Sequence, residues 1–207
     1  MNRYAIALLL VSVAPSAFSQ TIGFDLSAGT SFTVGQVVDL TVEANNLPNG
    51  LTGGGLDLQF NSAVLNLQSV SINSAFDVQS GDANGTPPVQ IDNAAGTADG
   101  VDFFAALNPA LTGTTIDIAT FQFVAEASGT SGLTLSADSL FGPFYDGNLN
   151  EINAGTDFTF QSAQTVSVAS AVAAPEMDPA AAVSGLTVLL GSLAVLGGRR
   201  KATHFRC

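Results

Sequence analysis

The chain has 207 residues and a formal net charge of −12 at pH 7. Residues 20–174 hold fifteen Asp and Glu residues but no Lys, Arg or His, which gives this part of the chain a net charge of −15. Nothing in it can neutralise phosphates, so nucleic acid is excluded as a partner. Hydrolysis through an activated serine or cysteine is excluded too, because it needs a nearby base such as His.

The N-terminal residues have the three regions of a secretory signal peptide. An early cation, Arg3, precedes an apolar run over residues 5–14, and the segment closes on Ala-Phe-Ser before Gln20. The apolar run is too short to span the roughly 30 Å of a bilayer core. We therefore predict a signal peptide over residues 1–19 and export of the mature chain through the inner membrane.

Short strands are predicted along most of residues 20–170. Apolar and polar residues alternate in VVDLTVEAN (37–45), GLDLQF (55–60), IDIATFQFVAEA (116–127), LTLSADSL (133–140) and TDFTFQSAQTVSVAS (156–170). Such alternation, with turn residues between the runs, predicts an antiparallel sandwich or barrel. An irregularity is expected at Ala119-Thr120. Five phenylalanines are predicted core residues: Phe60, Phe121, Phe123, Phe158 and Phe160.

Two segments interrupt the strand pattern. Residues 61–65 favour a single helical turn, capped by Asn61 or Ser62. The stretch from Gln79 to Gly100 is rich in Gly and Pro, so it is predicted to be a long loop that holds a short edge strand at 89–91.

The segment from Phe32 to Phe76 resembles the first half of a cohesin domain. The resemblance lies in Val34-Gly35, in the alternating strand that follows, and in LDLQF-N-x-x-V-L over residues 56–65. IATFQFVAEASGTSGLTLS, which includes Gly129, resembles the late cohesin strands. The resemblance implies an all-β fold over residues 20–170, a nine-stranded jelly-roll β-sandwich related to some carbohydrate-binding modules. It also implies that one face of the sandwich binds a dockerin module, although no polar motif assigns the contact residues.

One acidic stretch, DGNLNEINAGTD, has the spacing of a calcium loop. Side-chain oxygens at alternate positions converge on a hard cation when the backbone curves. The predicted Ca²⁺ ligands are Asp146, Asn148, Asn150, Glu151 and Asp157, and Asp99-Gly100 and Asp138 are candidates for further ligands. The sixth position lacks the Gly of an EF-hand, so a polar hairpin turn is the alternative interpretation.

Catalysis and sugar binding have little support in the residues. Paired carboxylates can hydrolyse glycosides, but among fifteen acids a close pair arises by chance, so we predict that the domain is not an enzyme. The aromatic residues Phe141, Phe144 and Tyr145 are the one candidate platform for a sugar ring. The alternative is a hydrophobic loop cluster at the edge of the sandwich.

The C-terminal segment has the properties of one membrane span. Residues 180–198 carry no charge, and at about 1.5 Å per residue a helix of this length spans roughly 28 Å. Arg199, Arg200 and Lys201 follow directly, and cytoplasmic flanks collect such cations. We predict a transmembrane helix over 180–198 and a cytoplasmic tail over 199–207.

A short motif before this span resembles a PEP-CTERM sorting signal. Residues 171–179 are a predicted linker whose motif comprises Pro175, Glu176, Met177, Asp178 and Pro179, and the signal ends on Arg199 and Arg200. Met177 stands where the common motif has Pro, so the motif resembles the Pro-Glu-x-Asp-Pro variant. The resemblance implies cleavage by an exosortase, a membrane-embedded cysteine transpeptidase, before release or transfer of the domain.

The combined prediction is a secreted, exosortase-sorted protein of the cell surface or extracellular matrix of a Gram-negative bacterium. Its cohesin-like sandwich would be a non-catalytic adhesion or binding module for a surface protein, a dockerin-like module or an exopolysaccharide. The first alternative is a calcium- or polysaccharide-binding module on a stable single-pass membrane anchor. The second is an acidic glycosidase.

Overall fold

A computed structural model describes residues 20–27, 29–82, 87–139 and 142–171. These residues form fourteen strands and no α-helix. The strands are β1 (Thr21–Asp25), β2 (Ser31–Thr33), β3 (Val37–Asn45), β4 (Gly53–Gln59), β5 (Leu65–Ile72), β6 (Val78–Gln79), β7 (Gln90–Asp92), β8 (Thr97–Phe104), β9 (Thr115–Ala125), β10 (Gly129–Ala137), β11 (Phe144–Tyr145), β12 (Glu151–Ile152), β13 (Thr159–Phe160) and β14 (Gln164–Ala169).

The strands form two sheets with a shared apolar core. The smaller sheet has the order β13-β1-β3-β9-β5. The larger sheet has the order β12-β11-β4-β10-β14-β2. In addition, β8 pairs with β4 along the edge opposite β10, and both β6 and β7 pair with β8. The pairs β1–β13 and β2–β14 are parallel, whereas the other strand pairs are antiparallel. The predicted all-β sandwich is confirmed. The predicted count of nine strands is wrong, because the described residues form fourteen. Six of these strands are only two or three residues long.

The period-2 pattern of the sequence decides which side chains enter the core. In β3, whose ends coincide with the predicted run, Val38, Leu40, Val42 and Ala44 are buried, and the residues between them are less buried. Alternation continues in β4 with buried leucines. Of the five predicted core phenylalanines, Phe60, Phe121, Phe123 and Phe158 are buried, and Phe160 is half-buried against the same core.

The irregularity predicted near Ala119 is a bulge one residue away. Val42 pairs with Ala119, and the next residue of β3, Glu43, pairs with Asp117, so Ile118 is the extra residue of β9. Ile118 and Ala119 are both buried, which shifts the phase of the alternation along β9. A β-bulge allows β9 to change which of its residues face the core while its pairing with β3 continues on both sides of the bulge.

The predicted helical turn is present at residues 61–65. The N–H of Leu65 donates to the carbonyl oxygen of Asn61 at 3.0 Å, and the side-chain oxygen of Asn61 caps the turn by accepting the N–H of Ala63 at 3.1 Å. The predicted loop 79–100 is shorter than expected, because β8 already begins at Thr97. Its edge strand is present as β7, one residue later than predicted.

The predicted signal peptide, 1–19, and the span at 180–198 lie outside the described residues, as do the sorting residues from Pro175 to Arg200. The chain divides into two units, Met1–Ser170 and Ala171–Cys207. In the part that the structure describes, no helix is long and apolar enough to cross a membrane.

Candidate functional site

Acidic side chains gather on the outer face of the larger sheet, where β8, β4 and β10 lie side by side. Leu56 and Leu58 of β4 are buried in the core, so Asp57 between them points outward. On one side of β4, the N–H of Asp138 donates to the carbonyl oxygen of Gly55 at 3.0 Å. On the other side, Asp102 of β8 pairs with the same glycine. We call Asp57, Asp102 and Asp138 the acidic cluster.

A bulge in β8 shapes the surface beside this cluster. Leu56 pairs with Val101 and Leu58 pairs with Ala98, so Asp99 and Gly100 together stand opposite Asp57. Gly100 has a φ of 73°, in the left-handed region that glycine tolerates without strain. Its N–H then donates to Oδ1 of Asp57 at 3.0 Å. Bulges are common where a sheet re-aims side chains at a functional site.

Ser80 fixes the backbone of this bulge from the neighbouring edge. Its hydroxyl donates to the carbonyl oxygen of Gly100 at 2.6 Å and accepts the N–H of Asp102 at 2.6 Å. The N–H of Ser80 donates to the carbonyl oxygen of Asp102 at 2.9 Å. The backbone N–H and carbonyl oxygen of Asp102 therefore both have hydrogen-bond partners. Its side chain differs in this respect.

The carboxyl group of Asp102 is buried, and one of its two oxygens has no hydrogen-bond partner. Asp102 is 6% exposed, and its Oδ1 accepts no hydrogen bond. Burial raises the pKa of Asp102 to about 6, with further contributions from the charges of Asp138 and Asp57. Burial also raises the pKa of Asp57, helped by Asp138 and Asp99, while the N–H of Gly100 acts in the opposite direction. Perturbed carboxyls that share one surface are typical of functional sites.

Replacing Asp102 with Asn is expected to stabilise the fold at neutral pH and to have little effect in acid. The pKa of Asp102 is raised in the fold from 3.8 to about 6, so the folded protein binds this proton more tightly than the unfolded chain. Stability is therefore gained as pH falls through about 6 towards 4, and it is lost as pH rises.

We expect Asp102→Asn to add about 1–2 kcal/mol to the unfolding free energy at a pH near 7.5, after allowance for solvent screening. Denaturant unfolding at two pH values, about 4 and about 7.5, measures the difference. At each pH, the variant is compared with the unaltered protein at that same pH. A gain of equal size at both pH values would contradict the ionisation argument.

The predicted calcium loop folds as a turn around the carboxylate of Asp146. Oδ1 of Asp146 accepts the N–H groups of Asn148 and Asn150, each at 2.9 Å. Oδ2 accepts the side-chain amides of Asn49 at 2.8 Å and Asn150 at 3.2 Å. Burial acts to raise the pKa of Asp146, but these hydrogen bonds lower it to about 2. The hydrogen-bonded turn agrees with the polar hairpin interpretation.

The other predicted calcium ligands are spread around this turn. Oδ2 of Asp157 accepts the N–H of Asn153 at 2.8 Å, and Glu151 is exposed. Within the described ranges, no three His, Cys, Asp or Glu side chains are arranged to hold a metal ion. Asp99, Gly100 and Asp138, considered as further ligands, lie around Asp57 in the larger sheet. Calcium binding at 146–157 stays a prediction.

Sodium chloride is expected to reproduce any stabilisation that calcium gives. Fifteen carboxylates repel one another at low ionic strength, where the Debye length is about 30 Å at 0.01 M salt, and roughly 0.1 M monovalent salt screens them. A specific site would instead saturate at micromolar to millimolar calcium. Melting the full chain in chelator, in calcium, and in calcium with high sodium chloride separates the two. A calcium shift that survives high salt and disappears in Asp146→Ala would establish the loop as a site.

The aromatic candidates divide between the core and the sheet surface. Phe144 is fully buried, and its ring centroid lies 5.0 Å from that of Phe158 and 6.0 Å from that of Phe103. Tyr145 is half-buried and packs edge-on against Phe104 at 6.2 Å. Phe141 lies outside the described residues. The interpretation as a hydrophobic cluster therefore fits Phe144 and Tyr145 better than a sugar platform does.

Sequence reasoning missed the acidic cluster as a unit. Asp57 could be placed on the outer face, because it alternates with buried leucines. Asp99-Gly100 is a turn-type pair within a strand, which is a signal for a bulge. The proximity of Asp102 and Asp138 depends on how β8 and β10 flank β4, and single-strand periodicity carries no information about that pairing.

The fold is similar to that of several solved cohesins. The seventh ScaB type I cohesin from Pseudobacteroides cellulosolvens has a TM-score of 0.54 at 16% identity, with 74% of this chain and 94% of that chain covered. The cohesin–dockerin complex Coh-OlpA-Doc918 from Clostridium thermocellum has a TM-score of 0.54 at 11% identity, with 73% and 99% covered. A non-cellulosomal cohesin from the archaeon Archaeoglobus fulgidus has a TM-score of 0.52 at 16% identity, with 73% and 91% covered.

A family model identifies the domain more directly than these distant structures do. No curated protein is a significant match, but the model of the cohesin domain matches residues 23–164. The matched segment is more than half of the chain and begins and ends within the two-sheet sandwich. Cohesin domains are non-catalytic binding modules, which confirms the prediction that the domain is not an enzyme. The chain belongs to the cohesin family.

Proposed function

We propose that the domain binds another protein through the outer face of β8, β4 and β10. The observation that carries this proposal is the acidic cluster, because its three carboxyl groups lie on β4, on β8 and directly after β10, which are adjacent strands of one sheet, and the pKa values of Asp57 and Asp102 are raised. Carboxyl groups with perturbed pKa values on one surface are typical of functional sites. Three adjacent long strands also offer a partner a continuous surface.

The related structures suggest the kind of partner. Coh-OlpA is in complex with Doc918 in the Clostridium thermocellum structure, and CaCohA2 is in complex with a variant of CaDoc0917 in another. We propose that a dockerin-like module, or another surface protein, is the partner of this chain. With identities of 11% and 16%, the contact residues have to be sought on the surface of this chain itself.

The ends of the chain support a proposal about where binding takes place. We propose a signal peptide at 1–19, the cohesin domain at 20–170, a linker with the sorting motif at 171–179, one membrane span at 180–198 and a basic tail at 199–207. An exosortase would process this precursor and leave the domain at the cell surface or in the extracellular matrix. A non-catalytic binding module in that place would serve adhesion or matrix assembly.

Surface plasmon resonance tests the binding proposal. The full chain, solubilised in detergent, is presented with Doc918, with CaDoc0917 and with dockerin-like modules encoded in the genome that carries this chain. We expect at least one module to bind with a Kd of about 1 μM or tighter. Ser136 of β10 is exposed and pairs with Asp57. Ser136→Arg therefore places a large, positively charged side chain beside the acidic cluster. We expect this variant to weaken binding about tenfold or more.

Ser69→Arg is the matched control, because Ser69 is an exposed serine on β5 of the smaller sheet. It adds the same side chain to the other sheet and should leave binding unchanged. Equal losses for both variants would contradict the choice of face. If every module fails to bind and a polysaccharide array gives binding that Ser136→Arg abolishes, protein binding is wrong and the carbohydrate alternative is right.

A further inference from the structure

One edge of the smaller sheet is closed along the first half of its last strand. Among the described strands, β5 pairs only with β9. Near the start of β5, the side chain of Asn93 covers the outer edge, since its Oδ1 accepts the N–H of Leu67 at 2.8 Å and its Nδ2 donates to the carbonyl oxygen of Leu67 at 2.9 Å. A bulge at Gln68 follows. Bulges and covering loops protect a sheet edge from pairing with further strands.

The second half of β5 has free backbone groups on its outer side. The N–H of Asn73 donates to the carbonyl oxygen of Ile118 in β9 at 2.9 Å, so the backbone of Asn73 faces β9. In an antiparallel pair, residues that bond to the neighbouring strand alternate with residues that face away from it. Val70 and Ile72 therefore direct their N–H and C=O groups away from β9, and no other described residue bonds to these groups.

This open segment is uncharged, although the domain is strongly acidic. Residues 58–76 contain no Asp, Glu, Lys, Arg or His. The exposed Ser71 lies opposite Thr120 of β9, which in turn lies opposite Thr41 of β3. The hydroxyl oxygens of the two threonines are 3.1 Å apart. A second copy of the domain can therefore approach this edge without placing carboxylates against one another in this row.

The free groups of β5 are complementary to themselves about a two-fold axis. Val70 and Ile72 flank Ser71. When two copies of β5 run antiparallel with their Ser71 residues opposite each other, Val70 of each copy stands opposite Ile72 of the other. Each such pair exchanges both of its N–H···O bonds, so four hydrogen bonds form. Val70 and Ile72 are half-buried against the core, and the added strand covers more of their apolar surface.

We propose that two copies of this chain associate through the open edge of β5 and join their smaller sheets into one continuous sheet. The contact is isologous, because both copies contribute the same residues. It lies at an edge of the smaller sheet, whereas the proposed protein-binding face belongs to the larger sheet. The fifteen acidic residues of each domain oppose association at low ionic strength, and salt screens this repulsion. Association should therefore strengthen as sodium chloride rises from about 0.01 M to about 0.5 M.

Cysteine cross-linking tests the register. The full chain in zwitterionic detergent carries Cys207→Ser, which removes its only cysteine, together with Ser71→Cys. Residues opposite each other in a pair without hydrogen bonds have Cα atoms about 4.5 Å apart, which suits a disulfide. Oxidation with copper phenanthroline in about 0.5 M sodium chloride, where screening is strong, should link most of this variant into dimers on a non-reducing gel.

Ser69→Cys in the same background is the matched control. Ser69 is exposed on the same strand and the same face as Ser71. In the proposed register its two copies are offset by about four residues, or roughly 13 Å along the strand, which is too far for a disulfide. This variant should therefore stay largely unlinked.

A charge exchange tests the same contact without an oxidant. Ser71→Asp and Ser71→Lys each place like charges opposite each other, so each variant alone should associate about fivefold more weakly than the unaltered chain. An equal mixture of the two pairs opposite charges and should restore association. Sedimentation equilibrium in density-matched detergent at about 0.15 M sodium chloride measures both effects. Ser136→Asp, at an exposed position of β10 in the larger sheet, should associate like the unaltered chain.

Four results would overturn the inference. They are equal cross-linking of Ser71→Cys and Ser69→Cys, unweakened association of Ser71→Asp, a mixture that associates no better than its components, and a chain that stays monomeric at every salt concentration. None of these measurements includes a dockerin module. Failure here therefore leaves the protein-binding function to be judged by its own test.

Discussion

Phe121→Ala and Phe123→Ala will each lower the unfolding free energy by about 3–5 kcal/mol, the usual cost of truncating a buried phenylalanine. Both side chains are fully buried in β9, an interior strand of the smaller sheet that lies between β3 and β5. The ring centroid of Phe121 lies 6.1 Å from that of Phe24, and that of Phe123 lies 5.3 Å from that of Phe60. Each truncation removes these edge-on contacts and leaves a cavity between the sheets.

Denaturant unfolding of the full chain measures this loss. A decrease of this size is a large share of the roughly 5–15 kcal/mol that stabilises an ordinary domain, so both variants should melt far below the unaltered protein. Leu107→Ala is the control, because Leu107 is 92% exposed and its truncation should change stability by less than about 0.5 kcal/mol. Two phenylalanine variants that melt within a few degrees of the parent would refute the packing of β9.

Replacing Pro175 and Glu176 with Ala will leave export intact but stop maturation of the C-terminus. The signal peptide at 1–19 is predicted to direct export independently of the C-terminal motif, whereas the exosortase is expected to read the Pro-Glu pair. The expected result is loss of the processed form and retention of a species that still contains the span at 180–198. The effect is close to all or none, because an uncut precursor stays joined to its span.

Mass spectrometry of the surface protein detects this difference in length. The matched control replaces Pro109 and Glu126, which are exposed residues of the same two types within the domain, and it should be processed normally. If the unaltered mature protein keeps its residues through Arg200, the processing proposal is wrong. A stable single-pass anchor then remains.

The elements that sequence predicts best are those set by local periodicity. The bounds of β3 agree with the prediction, because four buried residues alternate with five that are less buried over its whole length. The capped turn at 61–65 is also local, since Asn61 satisfies the N–H of Ala63 through its own side chain. The turn at Asp146 could likewise be read from DGNLN, because an aspartate followed by Gly and Asn favours side-chain capping of nearby N–H groups.

The candidate site was beyond such reasoning because it depends on pairing between distant strands. Asp57, Asp102 and Asp138 meet only because β8 and β10 flank β4 in a particular register. The count of strands failed for a related reason. Two-residue pieces such as β6 and β11 are strands only through their partners, and their own sequences are too short to show a period. The loop 79–100 was overestimated because its Gly and Pro residues hide the start of β8.

The position of β14 has a mechanical consequence when the domain is pulled from its C-terminal end. β14 is the last strand, it ends at Ala169, and it lies between β10 and β2. Its pairing with β10 is antiparallel and its pairing with β2 is parallel, so it is bonded along both edges. When tension acts along the axis of this strand, the hydrogen bonds on both edges bear the load together in shear. The fold then resists separation of this strand one hydrogen bond at a time.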